Sequence, residues 1–435
     1  MAQISAFPAL RYSPEKVRLG DVVTQPYDKI TPQMQDGYYK ASPYNLVRII
    51  LGRPEGNETE HKNRYTDAAE CLKNWRKAGI FSQDPPSIYA YSQRFVVPGS
   101  SESVERRSFI AAGTLYDYSE KVVFRHEQTL AKPKSDRLNL LRATHAHFGQ
   151  IFMLYSDPAQ TIDSLFFEDG NHEWQEVTDE YKVLHRLRRI SDPATLNIVK
   201  TEMADRKLII ADGHHRYETA LNFRKEAANA SNQCLKDNAN RVMMAFVNMD
   251  SPGLVILPTH RVVFGLPNFD VPSFVKKAKE LYDVRELGAL DAAKAASLLA
   301  QSGKNAVSFV AATKQGSFLL AARVGSEAQI PGEFSARQRK LDVVNLHSLL
   351  LENTLGISHE QVTNQQHIRY LRGAEETFRA VKSDPEVNVA FLMSPVSIEQ
   401  VREIAFAGEV LPQKSTDFYP KLLSGLTIYS LDNGC

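Results

Sequence analysis

Cysteine is scarce in this chain. Cys71, Cys234 and Cys435 are scattered over 435 residues without paired spacing, so neither a disulfide framework nor a zinc ribbon is expected. An excess of one charge is also missing. The net charge of +1 argues against an electrostatic grip on DNA, which needs a clear basic surplus. It leaves room for a local basic site. Long apolar runs are absent, and none approaches the roughly 20 residues that span a bilayer. The opening "MAQISAFPALRYSPEKVR" has no basic segment followed by an apolar core, so no signal peptide is read there. A cytoplasmic protein with no membrane partner is the expectation. Neither a Walker loop nor a Gly-x-Gly-x-x-Gly fingerprint occurs, and "SGKNA" lacks the upstream glycine. Any nucleotide must be held by other means.

What is present is ordinary globular material, 43% apolar and 24% charged, long enough for at least two domains. "SIYAYSQRFVV" and "RRSFIAAGTLYDY" flank a Pro-Gly-Ser turn and predict a hairpin-rich sheet. "YNLVRIIL" reads as a strand, "VLHRLRRI" as a helix and "KLIIA" as a strand. From about Pro267 helices and strands alternate more regularly. These patterns predict a mixed α/β (α+β) protein with one domain over 1–266 and a second over 267–435.

The stretch "IIADGHHRYETALNFRKEAAN" runs from an apolar strand into a helix through Asp212, Gly213, His214, His215 and Arg216. Gly213 permits a sharp turn. A helix start offers unpaired N–H groups and the positive end of the dipole to an anion. The guanidinium fork of Arg216 matches phosphate oxygens, and the imidazoles add donors. Asp212 can align a histidine, accept a proton or hold a metal, and it can equally cap the helix. His214 can be a satisfied core histidine and Arg216 a partner of a surface acid. Each residue alone favours the structural reading; the cluster favours a phosphate or carboxylate cradle. A metal on the histidines fits less well, because adjacent helical side chains diverge by about 100°.

Further polar groups collect elsewhere. "FRHEQTLAKPKSDRLNLLRA" holds Arg125, Lys132, Lys134, Arg137 and Arg142 against Glu127 and Asp136. "LAKPK" reads as a loop able to wrap a ligand. Glu127 is a candidate general base, and His126 a candidate acid or phosphate partner; a solvated charged loop explains the composition equally well. His260 and Arg261 follow a buried-looking strand in "LPTHRVV". Lys414, Ser415, Thr416 and Lys421 lie in the Pro-bounded loop "LPQKSTDFYPKL", a reasonable phosphate-binding set.

Taken together, "QPYDKITPQM", "SPYNLVRIIL", "RHEQTLAKPKSDRLNLLRA", "IIADGHHRYETAL", "GLVILPTHRVV" and "GEVLPQKSTDFYPKLLSGL" resemble successive signatures of the prokaryotic domain-of-unknown-function family numbered ten-fifteen, over nearly the whole chain. Its Asp-Gly-His-His-Arg motif is similar to the phosphate-binding motif of the ParB/sulfiredoxin-like superfamily. That superfamily includes CTP-binding partition proteins, ATP-using sulfiredoxins and ADP-using free-serine kinases. The resemblance implies a ParB/sulfiredoxin-like core in the N-terminal half. It implies phosphate gripping by Gly213, His214, His215 and Arg216, and ADP or ATP with Mg²⁺, for which Asp212 is a candidate ligand. It gives no secure match for the catalytic carboxylate: Glu127 is the first choice and Asp28 the second. Asp417 departs from the residue expected after "KST".

The expectation is therefore a phosphotransferase or phosphohydrolase acting on a small hydroxylated metabolite, with serine or phosphoserine the first candidate. His126, Glu127 and Asp212 would do the chemistry. The residues of the turn, with Lys132, Lys134, Arg137, His260, Arg261, Lys414, Ser415 and Thr416, would hold phosphate or nucleotide. The alternative is a non-enzymatic nucleotide-binding module of ParB type, which the missing basic surface and helix-turn-helix disfavour. A metal-dependent hydrolase is a third reading.

Overall fold

The computed structural model describes residues 2–432 apart from 55, 57, 60, 128–131, 169–172 and 304–305, together with the side chains of 132–134. It is a mixed α/β protein built on two large sheets. The apolar run "LIIAD" explains the first. Strand Leu208–Asp212 sends Ile209 and Ala211 into one core and Leu208 and Ile210 into another, so both of its faces are covered. It lies second from the edge of a nine-stranded sheet. The order is Val123–Arg125, Leu208–Asp212, Ile151–Tyr155, Arg241–Asn248, Ser103–Thr114, Ile88–Val96, Leu184–Ile190 and Gln175–Thr178, with Ile4–Ser5 added beside Ser103–Thr114. The hairpin expected from the two apolar runs around Pro98 is present as Ile88–Val96 against Ser103–Thr114.

The second sheet has six strands, all antiparallel to their neighbours: Tyr282–Gly288, Gly316–Ala322, Ser308–Thr313, Val387–Met393, His260–Phe264 and Ile368–Leu371. One apolar core joins both halves, with Phe223 and Phe152 from the first side and Val263, Phe391 and Phe418 from the second. The chain then returns. Asp417–Tyr419 pairs with Val255–Leu257, and Tyr429–Ser430 pairs with Ala146–His147 beside the first sheet.

Three local expectations are corrected. "VLHRLRRI" is a strand, Leu184–Ile190, because His185 and Leu187 alternate inward against Arg186 and Arg188. "YNLVRIIL" contains a helical turn, Val47–Ile50. The side chain of Asn45 accepts the Val47 N–H and donates to the Asp21 carbonyl, a local bond that competes with strand pairing. The "LAKPK" loop yields from Lys132 to a helix, Lys132–Thr144, since proline is tolerated in a first turn. Cys71 is a free thiol, while Cys234 is disulfide-bonded, unlike the unpaired cysteines expected. Among the described residues no helix is long and apolar enough to cross a membrane.

Candidate functional site

Strand Leu208–Asp212 ends at Gly213, whose φ of +92° suits glycine. A methyl group there would lie 2.9–3.1 Å from the Arg216 guanidinium, so the turn also needs the missing side chain. Helix His214–Ala227 follows with Gly213 as its cap and no side-chain cap bond. Asp212 therefore does not cap the helix. Its half-buried carboxylate accepts from Lys421 Nζ at 2.8 Å and lies 3.8 Å from Arg216 Nη2. Burial opposes ionisation there, but Lys421 and Arg216 outweigh it and hold Asp212 well below the usual carboxylate range. Burial likewise disfavours the Lys421 charge, and Asp212 and Asp417 overcome it, raising the lysine.

Two hollows meet at this corner. The larger, about 530 Å³, is lined by Asp28, Lys29, Glu127, Asp212, His214, Arg372, Lys414, Thr416, Asp417 and Lys421. The smaller, about 70 Å³, has apolar walls including Ile50, Leu140, Leu141 and Phe148, with Tyr27, Arg137, His147, Arg216, Thr219 and Ser424 as its polar groups. Residues 26–29 divide between them, Pro26 and Tyr27 on one side and Asp28 and Lys29 on the other. The turn divides in the same way, with Arg216 facing the small chamber and Asp212 and His214 the large one.

In the small chamber Arg216 donates to the Gln150 carbonyl. The Arg137 guanidinium stacks 4.1 Å from the centre of the Tyr27 ring, pairs with Asp136 and donates to the Ile50 carbonyl at 2.8 Å. The Thr219 hydroxyl is buried without a hydrogen-bond partner among the described residues. Burial alone lowers the His147 pKa to about 4, so that ring is neutral.

The large cavity is lined by both signs of charge, Lys29, Arg369, Arg372, Lys414 and Lys421 with Asp28, Glu127, Asp212 and Asp417. Lys29 makes no ion pair among the described residues and faces Lys421 and Arg372; burial and those two like charges lower its pKa. Arg372 pairs with Asp417, which also lies 3.1 Å from Lys421. Glu127 accepts the Lys414 N–H at 2.8 Å, and Thr416 Oγ1 lies 3.2 Å from its other oxygen. Burial raises the Glu127 pKa despite these bonds. His126 Nδ1 donates to the Ile210 carbonyl at 2.7 Å, so its neutral ring presents Nε2 as an acceptor to Thr416 Oγ1 at 2.7 Å. Burial lowers the His126 pKa to about 4. The Thr416 hydroxyl has a single proton and faces two acceptors.

The remaining expected residues separate. His214 lies against the His126 ring with centres 5.1 Å apart, and its Nε2 is buried without a hydrogen-bond partner among the described residues. Burial and His126 lower its pKa, so at neutral pH it is an uncharged group rather than a phosphate-binding cation. His215 lines neither hollow. Ser415 is buried and its hydroxyl donates to the Pro412 carbonyl, shaping its own loop. His260 and Arg261 are buried in the second sheet and also line neither hollow. The side chains of Lys132 and Lys134 lie outside the described residues. Among the described residues no group of three or more His, Cys, Asp or Glu side chains is placed to hold a metal, and Asp212 is engaged with Lys421 and Arg216. Sequence reasoning missed Lys29, Arg372 and Tyr27. "PYDKI" carried a signal for Lys29 and Tyr27, whereas Arg372 reaches the cavity from the second sheet and carried none.

A family model described as "Protein of unknown function (DUF1015)" matches residues 4–344. No curated protein sequence matches the chain. Solved structures similar to it at a low level include a free serine kinase in complex with AMP, 14% identical, covering 72% of this chain and 89% of that one with a TM-score of 0.35. A conserved hypothetical protein from Pyrococcus furiosus is 14% identical, covering 73% of this chain and 94% of that one with a TM-score of 0.34. SbnI with a C-terminal truncation from Staphylococcus aureus is 10% identical, covering 74% of this chain and 87% of that one with a TM-score of 0.35.

Proposed function

The chain belongs to the DUF1015 family of unknown function, and from its site we propose that it transfers or removes a phosphoryl group on a small hydroxylated metabolite, serine or phosphoserine first among candidates. The observation that carries this reading is the pair of hollows placed back to back, with residues 26–29 and 212–216 contributing to both. One reactant occupies each. The small chamber suits the ring of ADP or ATP: apolar walls, neutral hydrogen-bonding groups, and the Arg216 cation at the end nearest the corner. The larger cavity suits a phosphate-bearing metabolite, because Lys29, which makes no ion pair among the described residues and is only partly offset by Asp28 and Asp417, joins Lys421 and Arg372 on its lining.

Phosphoryl transfer asks a protein for positioning and charge neutralisation more than for covalent help. In the forward direction the substrate oxygen forms a bond to phosphorus while the bond from phosphorus to the leaving oxygen breaks. Glu127 takes the hydroxyl proton, and its raised pKa brings it closer to the neutral range where such a base works best. Lys29, Lys421 and Arg372 balance the charge on the moving group. Asp212 stays ionised and keeps Lys421 and Arg216 at the divide. Hydrolysis places water where the hydroxyl would be. Asp28, which also lines the cavity, is the second candidate base. No protein ligand for magnesium enters this scheme.

The test is phosphorus NMR on the purified protein with serine plus ADP, serine plus ATP, and phosphoserine alone. The reading expects a new phosphate resonance in at least one mixture and its loss with Glu127→Gln. Unchanged spectra in all three mixtures contradict it.

A further inference from the structure

The segment Leu411–Lys421 crosses from the second half of the chain to the first sheet and lines the large cavity with Lys414, Thr416, Asp417 and Lys421. Leu411 N–H donates to the His126 carbonyl at 2.7 Å. Lys414 N–H reaches Glu127, Thr416 reaches His126 and Glu127, and Lys421 reaches Asp212. The relative placement of both acids and their partners is therefore set by how this strap is seated.

Two arginines hold it, one from each sheet. Arg106, 1% exposed on strand Ser103–Thr114, donates through Nη1 to the Tyr419 carbonyl at 3.1 Å and through Nη2 to the Pro420 carbonyl. Its Nε and Nη2 also donate to Gln93 Oε1, and Gln93 in turn donates to the Lys421 carbonyl at 2.8 Å. Arg261, 0% exposed on strand His260–Phe264, donates to the Lys414 carbonyl at 3.1 Å and to the Thr259 carbonyl. Neither guanidinium has a carboxylate partner among the described residues. A buried cation without one is costly, and apolar side chains of similar size would pack at less expense. What these two obtain instead is main-chain oxygen of the same strap, near its two ends. Lys414 adds an independent sign. Its φ of +58°, uncommon for a residue with a side chain, turns its N–H toward Glu127 and its carbonyl toward Arg261 at once.

We propose that Arg106 and Arg261 are positioning residues, which pin the strap from opposite sheets so that Lys414 and Thr416 meet Glu127 and Lys421 meets Asp212. The strap is also seated by the pairing of Asp417–Tyr419 with Val255–Leu257 and by Leu411 on the His126 carbonyl; what its seating does for ligand binding rests on the phosphate reading above.

Hydrogen exchange read by mass spectrometry, on the full chain, tests this with Arg106→Met and Arg261→Met. Peptides over 411–421 are followed against strands Ile151–Tyr155 and Ser308–Thr313. Strap exchange should accelerate at least about tenfold while both strands stay protected, and inorganic phosphate should bind at least about tenfold more weakly. Arg106→Lys and Arg261→Lys, which keep the charge and one donor, should recover much of the protection. They carry the test if a methionine variant does not fold, with a rise of at least about threefold then expected. Unchanged strap exchange in the folded variants overturns the proposal, and so does acceleration shared equally by the sheet strands. If the native protein binds no phosphate, the functional reading fails while exchange still judges the strap.

Discussion

Two histidine–arginine clusters in this molecule have opposite fates. His214 and Arg216 stand where a strand runs out into a helix, each at the wall of a hollow. His260 and Arg261 stand inside an antiparallel sheet, opposite Leu371 and Tyr370. The second pair is engaged with main chain: His260 Nδ1 accepts the Met393 N–H at 3.4 Å, and Arg261 grips the Thr259 and Lys414 carbonyls. The first stands at cavity walls: His214 lines the large hollow, its Nε2 buried and without a hydrogen-bond partner among the described residues, and Arg216 lines the small chamber. Residue type and adjacency are alike in both places. What separates them is where the strand ends; an unmet buried group does not, since Arg261 Nε, like His214 Nε2, has no hydrogen-bond partner among the described residues.

The sharpest way to stress this contrast is at the acid beside the corner. Glu127→Gln should lower turnover by about 10³-fold, within the range for loss of a general base, while ligand affinity changes less than about twofold. Steady-state kinetics with calorimetric binding reads both, and normal turnover removes Glu127 from the chemistry. Acidification comes next in size. His126 and His260 have pKa values lowered to about 4 by burial, against about 6.5 when unfolded. The unfolded chain takes up their protons first, so stability falls as pH drops from 6.5 toward 4, by up to about 3 kcal/mol for each ring. Urea melts at pH 7 and pH 5 check the sign; equal stability at both would show these rings to be solvated.

A smaller effect separates the cavity wall from the scaffold. Lys29→Ala should weaken inorganic phosphate binding about tenfold, near 1.4 kcal/mol, with stability unchanged or slightly raised because a like-charge contact is relieved. His260→Asn should do the reverse, costing about 1–2 kcal/mol of stability and leaving phosphate affinity intact. Isothermal titration beside chemical denaturation reads both variants. A His260→Asn protein that is fully stable but unable to bind would invert the comparison.

Much of the fold could be read from local pattern. The apolar runs at 88–96 and 103–114 became the central hairpin, and the strand-to-helix break at Gly213 fell where the glycine allowed it. Leu184–Ile190 misled because its apolar residues also satisfy helical spacing, and only the alternation of His185 and Leu187 with Arg186 and Arg188 reveals a strand. The corner at Asp212 was legible as a cluster of polar residues at a turn. Its partners were not. Lys421 lies 209 positions away, and Arg372 and Arg106 arrive from different sheets. Such pairings are fixed by sheet order and by the returning strap, neither of which leaves a periodic trace in the sequence.

The central claim is that two reactants sit on either side of one turn. Calorimetric titration of ADP in the absence and presence of saturating phosphoserine tests it directly. The account predicts that both ligands bind together, with ADP affinity changed less than about threefold by phosphoserine and reduced by Arg216→Ala. Strict competition between the two, or no binding of either, would contradict it.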